Sequence, residues 1–226
     1  EGWDAAVRRA LAHFLEQLEA ANARIARHAL NLWKPGAGTR RVLVHSASSA
    51  VVAALRAARE AGISPSVICT ESRPQLEGRR LAESLAAEGF EVALMVDAGV
   101  ALAARQSDLC LVGADAVGLE GVVNKLGTHA LALAARAAGV PAGVLCGTLK
   151  FWPAAAGGGP PLDQADHHDP AEVYDGTAPI RVVNRYFEAV PLELFAAFVT
   201  EEGVLSAGGV VDRLRQMSAR EELARL

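Results

Sequence analysis

Aromatic rings, cysteines, lysines and long apolar runs are all scarce in this 226-residue chain, and each scarcity closes off an explanation. No run of about eighteen apolar residues occurs, which removes a membrane-spanning helix, and no signal peptide opens the sequence, so it reads as a cytoplasmic protein. Aromatics make up 5% of residues although 51% are hydrophobic, so the core must be built mainly from Ala, Val and Leu. The three cysteines, Cys69, Cys110 and Cys146, fall in or at the end of predicted strands, and an odd set without metal-ligand spacing reads as reduced thiols. Positive charge is not in excess: the net charge of −4 removes the electrostatic reason to expect direct nucleic-acid binding. There is also no GxGxxG run and no Walker spacing, which makes a plain nucleotide-binding module the weakest of the function classes considered.

What is present is an alternation of short apolar runs and helical spacings. Strands are predicted at Arg41–His45, Pro65–Thr70, Glu91–Val96, Leu109–Gly113, Ala142–Cys146 and Ile180–Val183, and helices at Val51–Ala61, Leu76–Glu88 and Val100–Arg105. A helix between the Leu109 and Ala142 strands carries Leu126, Ala130, Leu133 and Ala134 at helical spacing. Another is predicted from Asn184 through Val199, and a terminal one over Gly208–Arg225. This alternation implies an α/β fold, a Rossmann-like, mostly parallel sheet with helices on both faces. Residues 1–38 form an N-terminal helical segment, with Val7, Leu11, Phe14, Leu15, Leu18, Ala21, Ile25, Ala29 and Leu32 as its apolar stripe, ended by the linker Lys34–Gly38. Residues 39–226 are expected to form a Rossmann-like domain whose strand-end loops converge on a polar crevice suited to a small phosphorylated metabolite. The first residue is not a methionine, so native residues can precede it.

The stretch Leu109–Phe151 organises the rest. Asp115 follows a strand end, and Asn124, Lys125, Gly127 and Thr128 stand at the start of the next helix, where open parallel sheets bind ligands. A helix start suits a phosphate, and Asp115 offers a proton-transfer group, although an Asp after a strand is as often a turn or cap residue. Lys125 and Lys150, two of only three lysines, flank this unit as compact phosphate-binding charges. His45 with Ser46, Ser48 and Ser49 makes a second strand-to-helix turn, where one serine suffices for capping and three favour an anion site. Glu71–Pro74 presents Arg73 at a third strand end. Asp166-His167-His168-Asp169 resembles a metal cluster, but adjacent histidines rarely converge on one ion, and no metal site is assigned.

Four separated motifs resemble one family: Val112-Gly113-Ala114-Asp115, Asn124-Lys125-Leu126-Gly127-Thr128, Glu71-Ser72-Arg73-Pro74 with Gly78, and Asn184–Glu188 with Pro191–Leu194. They resemble the alpha, beta and delta subunits of translation initiation factor 2B, together with methylthioribose-1-phosphate isomerase and ribose-1,5-bisphosphate isomerase, over about residues 40 to 200. For the isomerases the resemblance implies conversion of an aldose 1-phosphate to a ketose 1-phosphate without metal or nucleotide cofactor. It assigns proton transfer to an aspartate, here Asp115, and a cysteine, and substrate holding to Asn124 and Lys125. The cysteine position holds Ser46, and a hydroxyl is a far weaker acid than a thiol. Glu77 stands where the family usually has glutamine, and a carboxylate there repels phosphate. Leu149-Lys150-Phe151 and His45-Ser46 resemble the initiation-factor subunits instead, which implies a non-catalytic regulatory or assembly subunit as the rival reading. The expected ligand is a small phosphorylated sugar or nucleotide, the expected partner a second copy of the chain in a homodimer.

Overall fold

The computed structural model describes residues 3–33, 40–156 and 166–217. The linker expected at Lys34–Gly38, part of the Gly/Pro-rich stretch after Ala156, and the end of the terminal helix beyond Met217 lie outside them.

Alternating side chains build the sheet. Strands β1 (Arg41–Val44), β2 (Ser66–Thr70), β3 (Glu91–Met95), β4 (Leu109–Val112) and β7 (Ala142–Leu145) run parallel with β9 (Ala197–Thr200), while β10 (Gly203–Leu205) adds an antiparallel edge. The order is β10-β9-β7-β4-β1-β2-β3. Leu43, Cys110, Val144 and Phe198 project into one apolar layer and Val42, Val44, Leu111 and Val199 into the other, as a two-residue period requires of a sheet buried on both faces.

Helices cover each layer. On one face α2 (Ser49–Glu60) and α3 (Glu77–Ala87) contribute Ala54, Leu55, Ala58 and Leu85, joined by Ile25 and Ala29 from α1 (Trp3–Ala29), which lies against α2 and β9. On the other, α4 (Val100–Arg105), α5 (Thr128–Ala138) and α6 (Ala207–Gln216) bury Ala103, Leu131, Ala135, Val210 and Leu214. The expected α/β class with a mostly parallel sheet, helices on both faces and an N-terminal helix is the one observed.

Four expectations are corrected. Between β4 and α5 the chain makes a hairpin, β5 (Ala116–Gly118) and β6 (Gly121–Lys125), so Asn124 and Lys125 end a strand rather than open a helix. In α5 the buried face is Thr128, Leu131, Ala132 and Ala135, while Leu126 and Leu133 are exposed; an Ala-rich helix carries two plausible apolar stripes, and contact with β4 and β7 chooses between them. The helix expected over 184–199 is absent: β8 (Phe187–Val190) pairs antiparallel with β6, Lys125 opposite Phe187, and β9 follows. Pairing with a strand some sixty positions earlier overrides local propensity. Ile180–Val183, expected as a strand, forms no ladder, and Ile180 and Val183 are exposed.

Candidate functional site

The carboxyl ends of β1 and β4, the end of β6 and the first turn of α3 meet at one small cavity of about 190 Å³. Its lining includes His45, Ser46, Ser48, Glu77, Asp115, Asn124, Lys125 and Lys150. Of the residues expected from sequence to act together, His45, Ser46, Ser48, Asp115, Asn124 and Lys125 reach this cavity. Ser49, Arg73, Gly127 and Thr128 do not line it, and each is held elsewhere.

Ser49 is exposed, and its hydroxyl accepts from Asn22 Nδ2 at 3.2 Å. The Arg73 guanidinium reaches the Glu172 carbonyl at 3.4 Å, while its backbone N–H donates to Asp97. Thr128 is fully buried, donating to the Lys125 carbonyl at 2.6 Å and accepting from Asn124 Nδ2 at 2.9 Å. Gly127 has φ +106°, and a Cβ there would stand 2.8 Å from the His45 ring, so both conformation and space demand glycine. Its N–H and that of His129 donate to Glu188 Oε1 at 2.7 and 2.9 Å. The anion that the α5 N-terminus attracts is therefore the protein's own carboxylate from β8, and a ligand phosphate is not needed there.

The turn after β1 is built differently. Ser46 is left-handed at φ 63°, and its N–H donates to Ser72 Oγ at 2.8 Å. Ser72, also left-handed, gives its own N–H to Asp97 Oδ1 at 2.7 Å. A carboxylate at the end of β3 thus holds the loop after β2, which holds the loop after β1. Non-glycine residues in this conformation cluster where a site over-determines the backbone. Ser48 caps α2 by accepting from the Val51 N–H, and Gly113 admits it, since a Cβ at 113 would lie 2.7 Å from the Ser48 hydroxyl.

Charges in the cavity are balanced. Lys125, with 3% of its side chain exposed, donates to Glu77 Oε1 at 2.6 Å and lies 4.7 Å from the centre of the Tyr186 ring. Lys150 donates to the Ala114 carbonyl. Burial raises the Asp115 carboxyl above its ordinary pKa, with Lys150 and then Lys125 pulling it down and Glu77 pushing it up. His45 is an internal strut: the Leu126 carbonyl can only accept, so Nε2 carries the proton at 2.8 Å, and Nδ1 accepts from the Thr70 hydroxyl at 2.5 Å. Its burial lowers its pKa, which keeps the ring neutral. Cys69, Cys110 and Cys146 are buried thiols pushed up to about 12, and none lines the cavity.

The Asp166–Asp169 cluster acts on the backbone. Asp166 accepts from the Tyr186 and Phe187 N–H groups and from His168 Nε2, whose ring stacks 3.4 Å from that of Tyr186. Tyr186 in turn donates to Glu172. This strap holds β8, and with it Glu188, in place.

Residues 2–207 match the profile of the initiation factor 2 subunit family. The chain belongs to that family. It is 40% identical over 185 residues to methylthioribose-1-phosphate isomerase of Desulforudis audaxviator, covering 73% of this chain and 52% of that protein. It is 33% identical over 172 residues to ribose 1,5-bisphosphate isomerase of Methanocaldococcus jannaschii, covering 74% of this chain and 55% of that one. The crystal structure of the translation initiation factor eIF-2B from Pyrococcus horikoshii superposes with a TM-score of 0.71 at 30% identity, over 86% of this chain and 67% of the other. The chain spans about half the length of the curated isomerases it matches. In this family member Lys150, read from sequence as a phosphate-binding charge, does line the cavity, whereas Phe187, which β8 brings there, carried no such signal and Glu77 read only as a repulsive charge. No helix among the described residues is long and apolar enough to cross a membrane.

Proposed function

We propose that this chain binds a small phosphorylated ribose in the cavity and interconverts an aldose 1-phosphate and a ketose 1-phosphate. The observation that carries the reading is the convergence of Asp115, Asn124, Lys125 and the Ser46–Ser48 turn on one cavity at the strand ends. Its volume of about 190 Å³ falls below the roughly 300–1,000 Å³ of sites for drug-sized ligands, which suits a five-carbon sugar phosphate and leaves little room for a nucleotide base.

The phosphoryl group would lie at the turn before α2, since Glu188 fills the start of α5. Opening the sugar ring requires a proton on the ring oxygen, and isomerisation then moves one proton from C2 to C1. Asp115, its pKa raised, is the group suited to carry that proton. Ser46, or a water beside it, stands in for the family thiol at ring opening; no buried cysteine can replace it. Pairing of two copies belongs to this reading, and a monomer by light scattering at micromolar concentration would remove that part.

A second reading is favoured by the same serine: a non-catalytic subunit related to initiation factor 2B, in which the cavity senses the sugar phosphate. Two measurements separate them. Saturating ribose 1-phosphate or methylthioribose 1-phosphate, at about a hundred times its dissociation constant, should add about 2.7 kcal/mol of stability in a thermal-shift assay. Turnover of the bound sugar, lost in Asp115→Asn by at least about a hundredfold, supports the enzyme. Binding without turnover, with activity appearing only in Ser46→Cys, supports the sensor; no stabilisation by any sugar phosphate sinks both.

A further inference from the structure

Glu77 lines the cavity, yet the proposed chemistry gives it no task. Its Oε1 accepts from Lys125, whose ammonium has exchanged water for this contact and the Tyr186 ring. Its Oε2 is buried and, among the described residues, has no hydrogen-bond partner. A carboxylate oxygen can only accept, and a buried acceptor left unpaired is costly, so a donor from a ligand gains more here than at an exposed position. The lining ammonium groups, Lys125 and Lys150, are matched by the carboxylates of Glu77 and Asp115, and His45 is neutral. No surplus positive charge awaits an anion.

We infer that Glu77 determines specificity by limiting the ligand to a single phosphoryl group, and that its Oε2 accepts from a ligand hydroxyl. The inference rests on the sugar-phosphate reading above and narrows it. One phosphoryl group is served by the Ser46–Ser48 turn and the start of α2, where the backbone is positive. A second adds close to two negative charges to a cavity that is already neutral and holds two carboxylates, whereas a hydroxyl in its place supplies the donor that Oε2 lacks. Lys125 cannot turn to a second phosphoryl group without abandoning Glu77, whose other carboxylate oxygen is already unpaired.

Calorimetric titration of the full chain with ribose 1-phosphate and ribose 1,5-bisphosphate, at low and high salt, tests this. The native protein should bind the monophosphate at least about tenfold more tightly, equivalent to about 1.4 kcal/mol. High salt should narrow the difference, because screening weakens a repulsion of charges. Glu77→Gln should tighten bisphosphate binding about tenfold relative to monophosphate binding, and Glu77→Asp, which keeps the charge, should retain the native preference. Native binding of the bisphosphate as tight as that of the monophosphate overturns the inference and leaves the sugar-phosphate reading intact, whether or not the variants fold. Equal tightening of both ligands by Glu77→Gln overturns it as well. Absence of binding by either sugar, in native protein and variants alike, sinks the sugar-phosphate reading and this inference together.

Discussion

Single side chains in the cavity act through their neighbours' charges. Asp115 is the clearest case, because its shift has named causes of both signs: burial and Glu77 push its carboxyl up, and Lys150 and Lys125 pull it down. A raised carboxyl pKa keeps the proton to higher pH, so Asp115 ionises later in a titration than an unperturbed carboxyl does. Removing the pull by Lys150→Met should move the Asp115 midpoint to higher pH, and removing the push by Glu77→Gln should move it lower. Carbon-13 NMR titration of the Asp115 carboxyl reads both directly and needs no turnover; shifts of the same sign in the two variants would refute the assignment. Lys125 and Lys150 are thus not interchangeable reserves of positive charge, since one is spent on Glu77 and the other on a carbonyl.

At the level of elements, the site is held by carboxylates that bridge strand ends. Asp97 fixes the Ser72–Arg73 backbone from β3, Asp166 fixes Tyr186–Phe187, and Glu188 caps α5 from β8. Glu188→Ala removes the acceptor for two N–H groups at a helix start, and should cost about 0.5–2 kcal/mol in urea unfolding, with Glu188→Gln restoring part of it. An unchanged midpoint in Glu188→Ala would show that water serves the α5 terminus equally well. Asp166 adds a pH dependence. Burial pushes its carboxyl up, but the Phe187 and Tyr186 N–H groups and His168 outweigh this and hold it below the usual range. Its stabilising share is therefore fully present above about pH 4, the ordinary Asp value, and is lost only as pH falls through the lower folded value.

For the molecule as a whole, the position of α1 matters most. Its second half buries Ile25 and Ala29 in the same apolar layer as α2 and α3, whereas Val7, Leu11 and Leu15 in its first half are exposed. Ile25→Ala should destabilise the whole chain by about 2–5 kcal/mol in one cooperative transition, while Leu11→Ala should change stability by less than about 0.5 kcal/mol. An Ile25→Ala protein that melts α1 separately, by circular dichroism and intrinsic fluorescence, would show that the N-terminal segment is a unit of its own, as the sequence reading divided it.

What the sequence determined by itself was whatever depends on neighbours along the chain. Apolar runs marked β1, β2, β3, β4 and β7, helical spacing marked α2 and α3, and the strand-end positions of Ser46 and Asp115 followed from their flanks. Only the tertiary structure decided what distant pairing controls. The Val122–Val190 ladder turned an expected helix into β8 and brought Glu188 onto the α5 start, filling the helix end that the sequence offered to a phosphate. It was likewise packing that set Glu77 against Lys125, 48 positions away, and converted a lysine legible as a phosphate ligand into half of a buried pair. Local pattern carries the period of burial, but not the partner across the sheet, and in this protein the partners set the charge of the site.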